Sequence, residues 1–498
     1  MLFSSPLFVF LFLPLVLLAY YGLDPRFRNP VLLLSSLIFY AWGEVIVVWL
    51  MLLSCVINWA LGLWVDRARS RGQGRGVVAL ALCFNLGLLV LFKYAHWIWT
   101  SVSGLLLGLG WIDAPWPVLS AVFEASSLWS ETLTEDDGTL RLPIGISFFT
   151  FQACSYVIDI YRRDGDVQRG PLNFALYISL FPQLIAGPIV RYKDVALQLT
   201  SRISSWSGFA YGARRFVLGL GKKMLIANAA AEVADRIFAL EGGLSTPVAW
   251  LGIFAFTIQI YFDFSGYSDM AIGLGHMFGF RFLENFDHPY VARSITEFWR
   301  RWHMSLSNWF RDYLYIPLGG NRSGLGRTYF NLVLVFFLCG LWHGASANFV
   351  VWGLFHGLFL VLERRGLRGW LERRSAWVQH GYLLTLVMVG WVFFRADDLQ
   401  HALGYIGAML GAGANSELYP IALFVDPRIV TALAAGVIGS VPWLAATARW
   451  HSRQVAAGHG FRSLATEALG LALVALVFLA ASLELAGSSY NPFIYFRF

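Results

Sequence analysis

Long runs of residues without Asp, Glu, Lys or Arg recur along the whole chain and alternate with short charged segments. A helix needs about 20 apolar residues to cross the hydrocarbon core of a bilayer, so runs of this length predict membrane-crossing helices. The runs cover residues 1–23, 45–65, 76–92, 94–112, 170–190, 242–262, 328–362, 375–394, 429–448 and 468–483. The pattern predicts an all-α polytopic membrane protein with about 10–13 membrane-crossing or re-entrant helices.

Two further segments, 143–161 and 264–280, are apolar enough to enter the bilayer but are interrupted by polar residues. Pro143, Pro182 and Pro188 lie in or beside such segments. Proline breaks or kinks a helix, and irregular backbone at membrane depth is tolerated only where protein surrounds it. We therefore expect several short, broken or re-entrant helices packed inside the protein.

Clusters of arginine in the loops predict the orientation of the chain, because cytoplasmic loops carry the excess of basic residues. The loop 66–75 holds four Arg and is predicted to be cytoplasmic, whereas 113–141 is mostly acidic and is predicted to be external. The segment 76–112 must then cross an odd number of times, so one of its two runs is predicted to be re-entrant or interfacial. The loops 363–374 and 449–462 are basic again and predicted to be cytoplasmic, whereas the stretch 396–427 between them is mostly acidic and predicted to be external. The last apolar run, 468–483, then places the C-terminus outside.

Composition supports the same class. Of 498 residues, 57% are hydrophobic and 13% are charged, whereas a soluble domain carries about 25% charged residues. The net charge of +7 is explained by loop arginines that orient the chain, and we expect no nucleic-acid partner. The four cysteines lie in apolar stretches without ligand-like spacing, so we expect each to be a small buried hydrophobe and predict no metal: Cys55, Cys83, Cys154 and Cys339.

Two carboxylates follow the apolar run 242–260. Asp263 and Asp269 are six positions apart, about 600° around a helix, and so lie on different faces unless the helix breaks at Gly266. A structural role is favoured, in which they cap broken helices or pair with Arg. The alternative is an ion or proton pathway in a transporter, although the chain shows no internal repeat.

The segment 294–315 combines tryptophans, arginines and a histidine. On one helix, Trp299, Trp302 and His303 would share a face that Leu306 continues, so the histidine would face the interior among aromatic rings. The alternative is an interfacial helix with Trp at headgroup depth and Arg extended outward.

A second histidine, His343, lies near the middle of the run 328–362. Gly340 and Gly344 beside it permit a close approach of backbones, so we expect His343 to face a crowded interior or a narrow cavity. An ionisable residue at this depth favours a functional role. His356 shares the run but lies thirteen residues away, roughly 220° around a helix, and need not belong to the same site.

Six motifs together resemble the membrane-bound O-acyltransferase family and, within it, the bacterial alginate O-acetyltransferase branch. They occupy residues 142–148, 181–188, 261–273, 294–315, 319–322 and 340–344. The resemblance covers roughly residues 1–395. It implies a single membrane-embedded domain over 1–498, in which C-terminal helices (396–485) and an external aromatic tail (486–498) follow the core.

The resemblance also implies a ring of helices around a central tunnel, which connects a cytoplasmic acyl donor to an external acceptor. His343 matches the catalytic histidine of the family, and His303 matches a second, less invariant position. The residues implied to bind substrate on the donor side are Trp299, Asn308, Trp309, Arg311 and Asp312. A hydroxyl must attack a thioester, and a histidine with an ordinary pKa near 6.5 is a suitable general base.

The function implied by the resemblance is transfer of an acetyl group from cytoplasmic acetyl-CoA to an exported or cell-envelope polysaccharide, with alginate as the leading acceptor. The expected location is the bacterial cytoplasmic (inner) membrane, with membrane lipids around the protein and no permanently bound cofactor. Two alternatives stay open from the sequence: an acyltransferase acting on a lipid or a protein, and a polytopic transporter.

The last six residues read Phe-Ile-Tyr-Phe-Arg-Phe. They resemble the aromatic C-terminal motif of the small companion proteins of teichoic acid D-alanylation. By this analogy Tyr495 would take the acetyl group and pass it to an exported serine acetyltransferase partner. The alternative is that the aromatic residues anchor the tail at the membrane interface.

Overall fold

A computed structural model describes residues 1–43, 45–116, 141–185, 187–240, 242–413, 418–443, 447, 450, 453, 460–487, 490–492 and 494. All regular secondary structure in these ranges is helical. The α-helices are α1 Leu13–Gly22, α2 Arg28–Ala41, α3 Val47–Ser70, α4 Gly74–Leu89, α5 Ala95–Gly108, α6 Ile146–Arg162, α7 Pro171–Ser179, α8 Phe181–Leu184, α9 Tyr192–Thr200, α10 Trp206–Gly221, α11 Asn228–Phe238, α12 Thr246–Met277, α13 Ile295–Arg301, α14 Met304–Phe310, α15 Leu325–His343, α16 Ala347–Leu362, α17 Arg368–Glu372, α18 Ala376–Arg395, α19 Leu399–Gly407, α20 Pro427–Gly439 and α21 Gly460–Gly487. Wider π-helical turns occupy Phe8–Phe12, Val90–Tyr94, Lys222–Ala227, Arg311–Tyr315, Glu363–Leu367 and Ala408–Ala412.

Seven helical segments of the described chain are long and apolar enough to cross a membrane. They are Val47–Ser70, Gly74–Gly108, Thr246–Met277, Leu325–His343, Ala347–Glu372, Ala376–Arg395 and Leu464–Gly487. Two shorter apolar helices lie at Phe8–Gly22 and Pro427–Gly439. The predicted all-α polytopic class is confirmed, while the central tunnel stays a prediction.

The chain forms two compact units. The first unit comprises residue 1, residues 15–202 and residues 342–346, and the second comprises 2–14, 203–341 and 347–498. Each unit is assembled from segments that are far apart in the sequence. The predicted division into a core, C-terminal helices and a tail stays a prediction.

In the first unit, α6 packs against α3 and α4. The residue before its first turn, Gly145, has a φ of +78°, a conformation that glycine adopts without strain. A Cβ on Gly145 would lie 2.8 Å from the carbonyl oxygen of Leu184, so this position has no room for a side chain. The apolar run 170–190 is divided into the short helices α7 and α8, as its prolines predicted.

The runs 76–92 and 94–112 belong to one helical segment, Gly74–Gly108. One continuous helix agrees with a single crossing by 76–112, and the prediction that one of the two runs is re-entrant or interfacial stays a prediction. Lys93, which separates the two runs in the sequence, lies in the π-helical turn Val90–Tyr94 and bonds to main-chain carbonyls. Its charge is accommodated without interrupting the helix.

In the second unit, α10 packs along α12 through paired glycines. A Cβ on Gly212 would lie 2.4 Å from the carbonyl oxygen of Gly273, and one on Gly219 would lie 2.5 Å from that of Gly266. These contacts bring the two backbones into direct apposition. The polar residues of 264–280 predicted a broken helix in this region. The structure has one continuous helix instead, since α12 runs through Gly266 without a break.

One expectation about the cysteines is wrong. Cys55, Cys154 and Cys339 are buried, but Cys83 is exposed. It lies on α4, at a position that does not face the packed interior of the first unit.

Candidate functional site

His343 is the last residue of α15, and α16 begins at Ala347. The run 328–362 is therefore two helices and not one, because residues 344–346 leave the helical conformation. His343 is 3% exposed. The ring of the preceding Trp342 packs against those of Phe148 and Phe151, with centroids 5.5 and 5.6 Å away. The end of α15 is thus fixed by aromatic packing within the first unit.

A lysine also holds this helix end. The Lys93 ammonium donates to the carbonyl oxygen of Trp342 at 2.5 Å, and it lies 3.4 Å from both the carbonyl oxygen of His343 and the hydroxyl of Ser147. The last carbonyls of a helix have no partner within the helix and carry partial negative charge. Lys93 therefore caps α15 at the candidate catalytic histidine. Sequence reasoning missed this residue, although a single Lys between two apolar runs was a signal.

His303 lies in the second unit, where it breaks the helix expected over 294–315. Its backbone is left-handed (φ +44°), so α13 ends at Arg301 and α14 begins at Met304. The prediction of one continuous helical face through Trp299, Trp302 and His303 is wrong. The predicted aromatic surroundings are confirmed: His303 is fully buried, and its ring meets that of Phe264 edge-on at 4.6 Å.

Asn285 orients the His303 ring. The side-chain oxygen of Asn285 lies 3.1 Å from His303 Nδ1 and accepts from the hydroxyl of Ser305 at 2.8 Å, while its amide donates to Ser268 at 3.0 Å. The oxygen is an acceptor, so the proton is assigned to Nδ1 and the basic lone pair to Nε2. His303 lies outside the seven spanning segments, and burial lowers its pKa to about 3. The ring is therefore neutral at physiological pH. Asn285 was not predicted, since a lone Asn 18 residues upstream carries no sequence signal.

The residues predicted for the donor side lie around α13 and α14. Trp299 and Arg311 line one pocket of about 190 Å³, whose remaining lining is mostly apolar. Asn308, Trp309 and Asp312 do not line it: Trp309 packs on Phe310 and Tyr313, and Asp312 pairs with Arg311 at 2.7 Å. The full lining is Trp299, Arg300, Leu306, Ser307, Phe310, Arg311, Tyr315, Leu332, Val335, Phe336, Cys339 and Leu360.

His356 also lies in the second unit, like His303. Its Nδ1 accepts a hydrogen bond from the Trp299 indole at 3.3 Å. It lies among the rings of Trp352 and Phe298. The arrangement fixes the orientation of Trp299 beside the pocket.

The two carboxylates of α12 are paired. Asp263 binds Lys223 at 2.7 Å, and Asp269 binds Lys222 at 2.6 Å and Arg215 at 2.8 Å. Asp269 therefore pairs with an arginine, as one of the predicted structural roles requires, whereas Asp263 pairs with a lysine. Tyr495, predicted as an acyl carrier, lies outside the described residues.

Comparisons with known proteins agree with the resemblance drawn from the motifs. The sequence model of the membrane-bound O-acyltransferase (MBOAT) family matches residues 166–393. The probable alginate O-acetylase AlgI of Pseudomonas putida is 42% identical to the chain, over 100% of both. The peptidoglycan O-acetyltransferase of Helicobacter pylori is 35% identical, over 84% of this chain and 81% of its own. The teichoic acid D-alanyltransferase of Bacillus subtilis is 30% identical, over 44% of this chain and 58% of its own.

The matched range 166–393 contains both candidate histidines, His303 and His343. Similarity extends beyond that range to the whole chain in the Pseudomonas putida relative. Seven apolar helical segments supply the membrane-embedded body that such an enzyme needs. The chain is therefore a multi-pass membrane protein and belongs to the membrane-bound O-acyltransferase family.

Proposed function

We propose that the protein transfers an acetyl group from cytoplasmic acetyl-CoA to an exported or cell-envelope polysaccharide of the alginate type. The observation that carries this proposal is the 42% identity, over the full length of both chains, to a probable alginate O-acetylase. A transferase that acts on a lipid or a protein is the alternative acceptor class. Identifying the acetylated product of the purified protein would decide between them.

His343 is the proposed general base. It accepts a proton from the attacking hydroxyl, the hydroxyl oxygen bonds to the acetyl carbon, and the carbon–sulfur bond of the thioester breaks. The CoA thiolate then takes up the proton from His343, which returns the histidine to its neutral form. Burial of His343 and the capping of its helix by Lys93 support this role, because a base must be held at a fixed position to act in the transition state.

The proposed acetyl carrier is Tyr495. Its phenol oxygen would attack the thioester while His343 removes the phenol proton, giving CoA and a tyrosyl acetate ester. The serine hydroxyl of an exported acetyltransferase would next attack that ester, and the phenol would regain a proton. A phenol with an ordinary pKa near 10 needs a base for this attack at neutral pH.

The proposed donor side is the region around the pocket beside α14. Trp299, with its indole fixed by His356, and the Arg311 cation flank a pocket that is otherwise mostly apolar. An aromatic surface beside a cation suits a donor with an apolar arm and phosphates. Asn308, Trp309 and Asp312 would shape this region from α14 and the turn after it. We expect Trp309→Ala to raise the KM for acetyl-CoA, and an unchanged KM would move the donor site elsewhere.

The central experiment measures acetyl-CoA turnover by the purified protein, and polysaccharide acetylation when the exported acetyltransferase is added. His343→Ala should lower the rate by about 10²–10⁴, the usual contribution of a general base. His380→Ala, a change in another histidine of the membrane-embedded region, is the matched control. A His343→Ala protein that is purified in equal yield and keeps more than about half of its turnover would contradict the assignment.

Tyr495→Phe tests the carrier separately, because it removes only the hydroxyl. Under the proposal this variant loses polysaccharide acetylation, and mass spectrometry of the wild-type protein without its exported partner finds an acetyl ester on Tyr495. Normal acetylation by Tyr495→Phe would leave His343 as base but remove Tyr495 from the reaction.

A further inference from the structure

The second unit contains a fully buried ion pair that the acyl-transfer chemistry does not use. Lys223, in the turn Lys222–Ala227, and Asp263, on α12, are 2.7 Å apart, and their side chains are 1% and 2% exposed. Burying two charges is unfavourable unless their remaining hydrogen-bonding capacity is also satisfied. The pair therefore requires further polar partners.

Those partners come from the C-terminal end of the chain. The Lys223 ammonium donates to the carbonyl oxygen of Pro492, and the main-chain N–H of Ile494 donates to Asp263 at 3.1 Å. Both tail groups belong to the main chain, and Ile494 is itself buried. Lys223 thus donates to a carbonyl oxygen, and Asp263 accepts from an N–H that lies two residues further along the tail.

The residues just before these two are also bound. The Tyr490 hydroxyl donates to Asp235, a carboxylate that also accepts from Arg395 at 2.6 Å. The Asn491 amide donates to the carbonyl oxygen of Ser4 at 2.7 Å. Polar contacts therefore hold the tail at four positions between 490 and 494, and the contact at Ile494 is buried.

We propose that Lys223 and Asp263 form a docking site for the main chain of the C-terminal tail at Pro492 and Ile494. The site recognises the spacing of a main-chain carbonyl and a main-chain N–H. Proline at 492 restricts the backbone before docking and so lowers the entropy lost on binding. The docking stands without Tyr495; its consequence for acetyl transfer rests on the proposed function of that residue.

The first test changes only the tail. Ile494→Pro removes the N–H that Asp263 accepts, and Ile494→Ala is the matched control, since it shortens the side chain and keeps the N–H. The full-length protein in detergent is digested with a carboxypeptidase, and loss of residues 490–494 is followed by intact mass. We expect trimming about tenfold faster in Ile494→Pro than in Ile494→Ala, because a hydrogen bond to a buried charge is lost.

The second test changes the site. Lys223→Met with Asp263→Leu removes both charges together, which avoids leaving one of them buried alone. Lys222→Met is the matched control: the neighbouring ammonium binds Asp269, which keeps its contact with Arg215. The double variant should lose its tail residues about tenfold faster than Lys222→Met.

The outcomes separate docking from chemistry. Equal trimming of Ile494→Pro and Ile494→Ala, together with equal trimming of the double variant and Lys222→Met, would overturn the docking site. Faster trimming with unchanged polysaccharide acetylation would support docking and overturn the role of Tyr495. Faster trimming with acetylation lost, while hydrolysis of acetyl-CoA continues, would support both.

Discussion

At the scale of single residues, each candidate histidine is held by a polar side chain that sequence reasoning did not select. Lys93 is 250 residues from His343, and Asn285 is 18 residues from His303. The histidines themselves were predictable, because an ionisable group in or beside an apolar run is costly unless it has a function. Their supports were not, since these contacts exist only after distant segments have packed.

Replacing Lys93 should impair the reaction through His343. In Lys93→Met the carbonyls at the end of α15 lose their cationic donor, at a cost of about 1–3 kcal/mol per buried unsatisfied group. We expect kcat to fall roughly tenfold or more with little change in the KM for acetyl-CoA, because the capping contacts do not involve the donor-side residues. Lys93→Arg should recover part of kcat.

Ser147→Ala is the control for Lys93, because it removes only the 3.4 Å contact and leaves the carbonyl contacts in place. Kinetics of the three purified variants provide the measurement. A Lys93→Met protein with wild-type kcat would show that the helix end needs no cation.

Burial of His303 makes the stability of the fold depend on pH. The unfolded chain takes up a proton at this residue near its ordinary pKa of 6.5, whereas in the folded protein the pKa is lowered to about 3. The unfolded state therefore binds more protons between these values, and stability falls as the pH drops below 6.5. The slope from this residue is at most about 1.4 kcal/mol per pH unit.

Thermal unfolding in detergent between pH 7 and pH 5 measures this effect. His303→Gln has no titrating ring and should show a shallower decline in Tm than the wild type. Parallel Tm curves would mean that His303 is not the group responsible.

At the scale of helices, the sequence predicted which segments are apolar but not where their backbones break. The run 328–362 became α15 and α16, whereas 242–262 and 264–280 became the single helix α12. Hydropathy indicates whether a segment prefers apolar surroundings. One long helix and two shorter helices bury an apolar run equally well, so hydropathy does not distinguish them. The deciding factors are tertiary: lysines of the π-helical turn Lys222–Ala227 neutralise the carboxylates of α12.

Close packing of α15 on α16 gives an element-scale prediction. A Cβ on Gly340 would lie 2.2 Å from the carbonyl oxygen of Phe349, so Gly340→Ala must push the helices apart, at a cost of about 1–3 kcal/mol. Gly326 lies on the same helix with nothing within 4 Å of its Cβ position. Gly326→Ala should leave Tm unchanged or raise it slightly. Equal Tm values for the two variants would contradict this packing.

At the scale of the whole molecule, composition and apolar runs were enough to predict a polytopic helical protein, and the motifs were enough to predict its family. The transporter alternative is wrong, because the chain belongs to a family of acyltransferases. Assembly of the two units could not be predicted. Residues 342–346 belong to the first unit, while the segments on both sides belong to the second. No local sequence pattern indicates that five residues belong to a different unit from their neighbours.

The predicted orientation can be tested with single cysteines in a background where the exposed Cys83 is replaced by Ser. Trp370 and Leu418 are both exposed and lie in the loops predicted to be cytoplasmic and external, respectively. An impermeant maleimide added to intact cells should label Leu418→Cys at once and Trp370→Cys only after permeabilisation. The reverse pattern would invert the topology and place the C-terminus inside.

The hydrogen bonds between Ser4 and Asn491 join positions 487 residues apart. A ribosome adding about 5–20 residues per second needs roughly 25–100 s to make the second partner after the first has emerged. Asp263 is made 231 residues before Ile494, so for the last part of that interval, roughly 12–46 s, the Lys223–Asp263 pair has no tail to complete it. A chain that terminates early would therefore insert in the membrane with a vacant charged site, and such a chain is a substrate that quality-control proteases could distinguish from the finished enzyme.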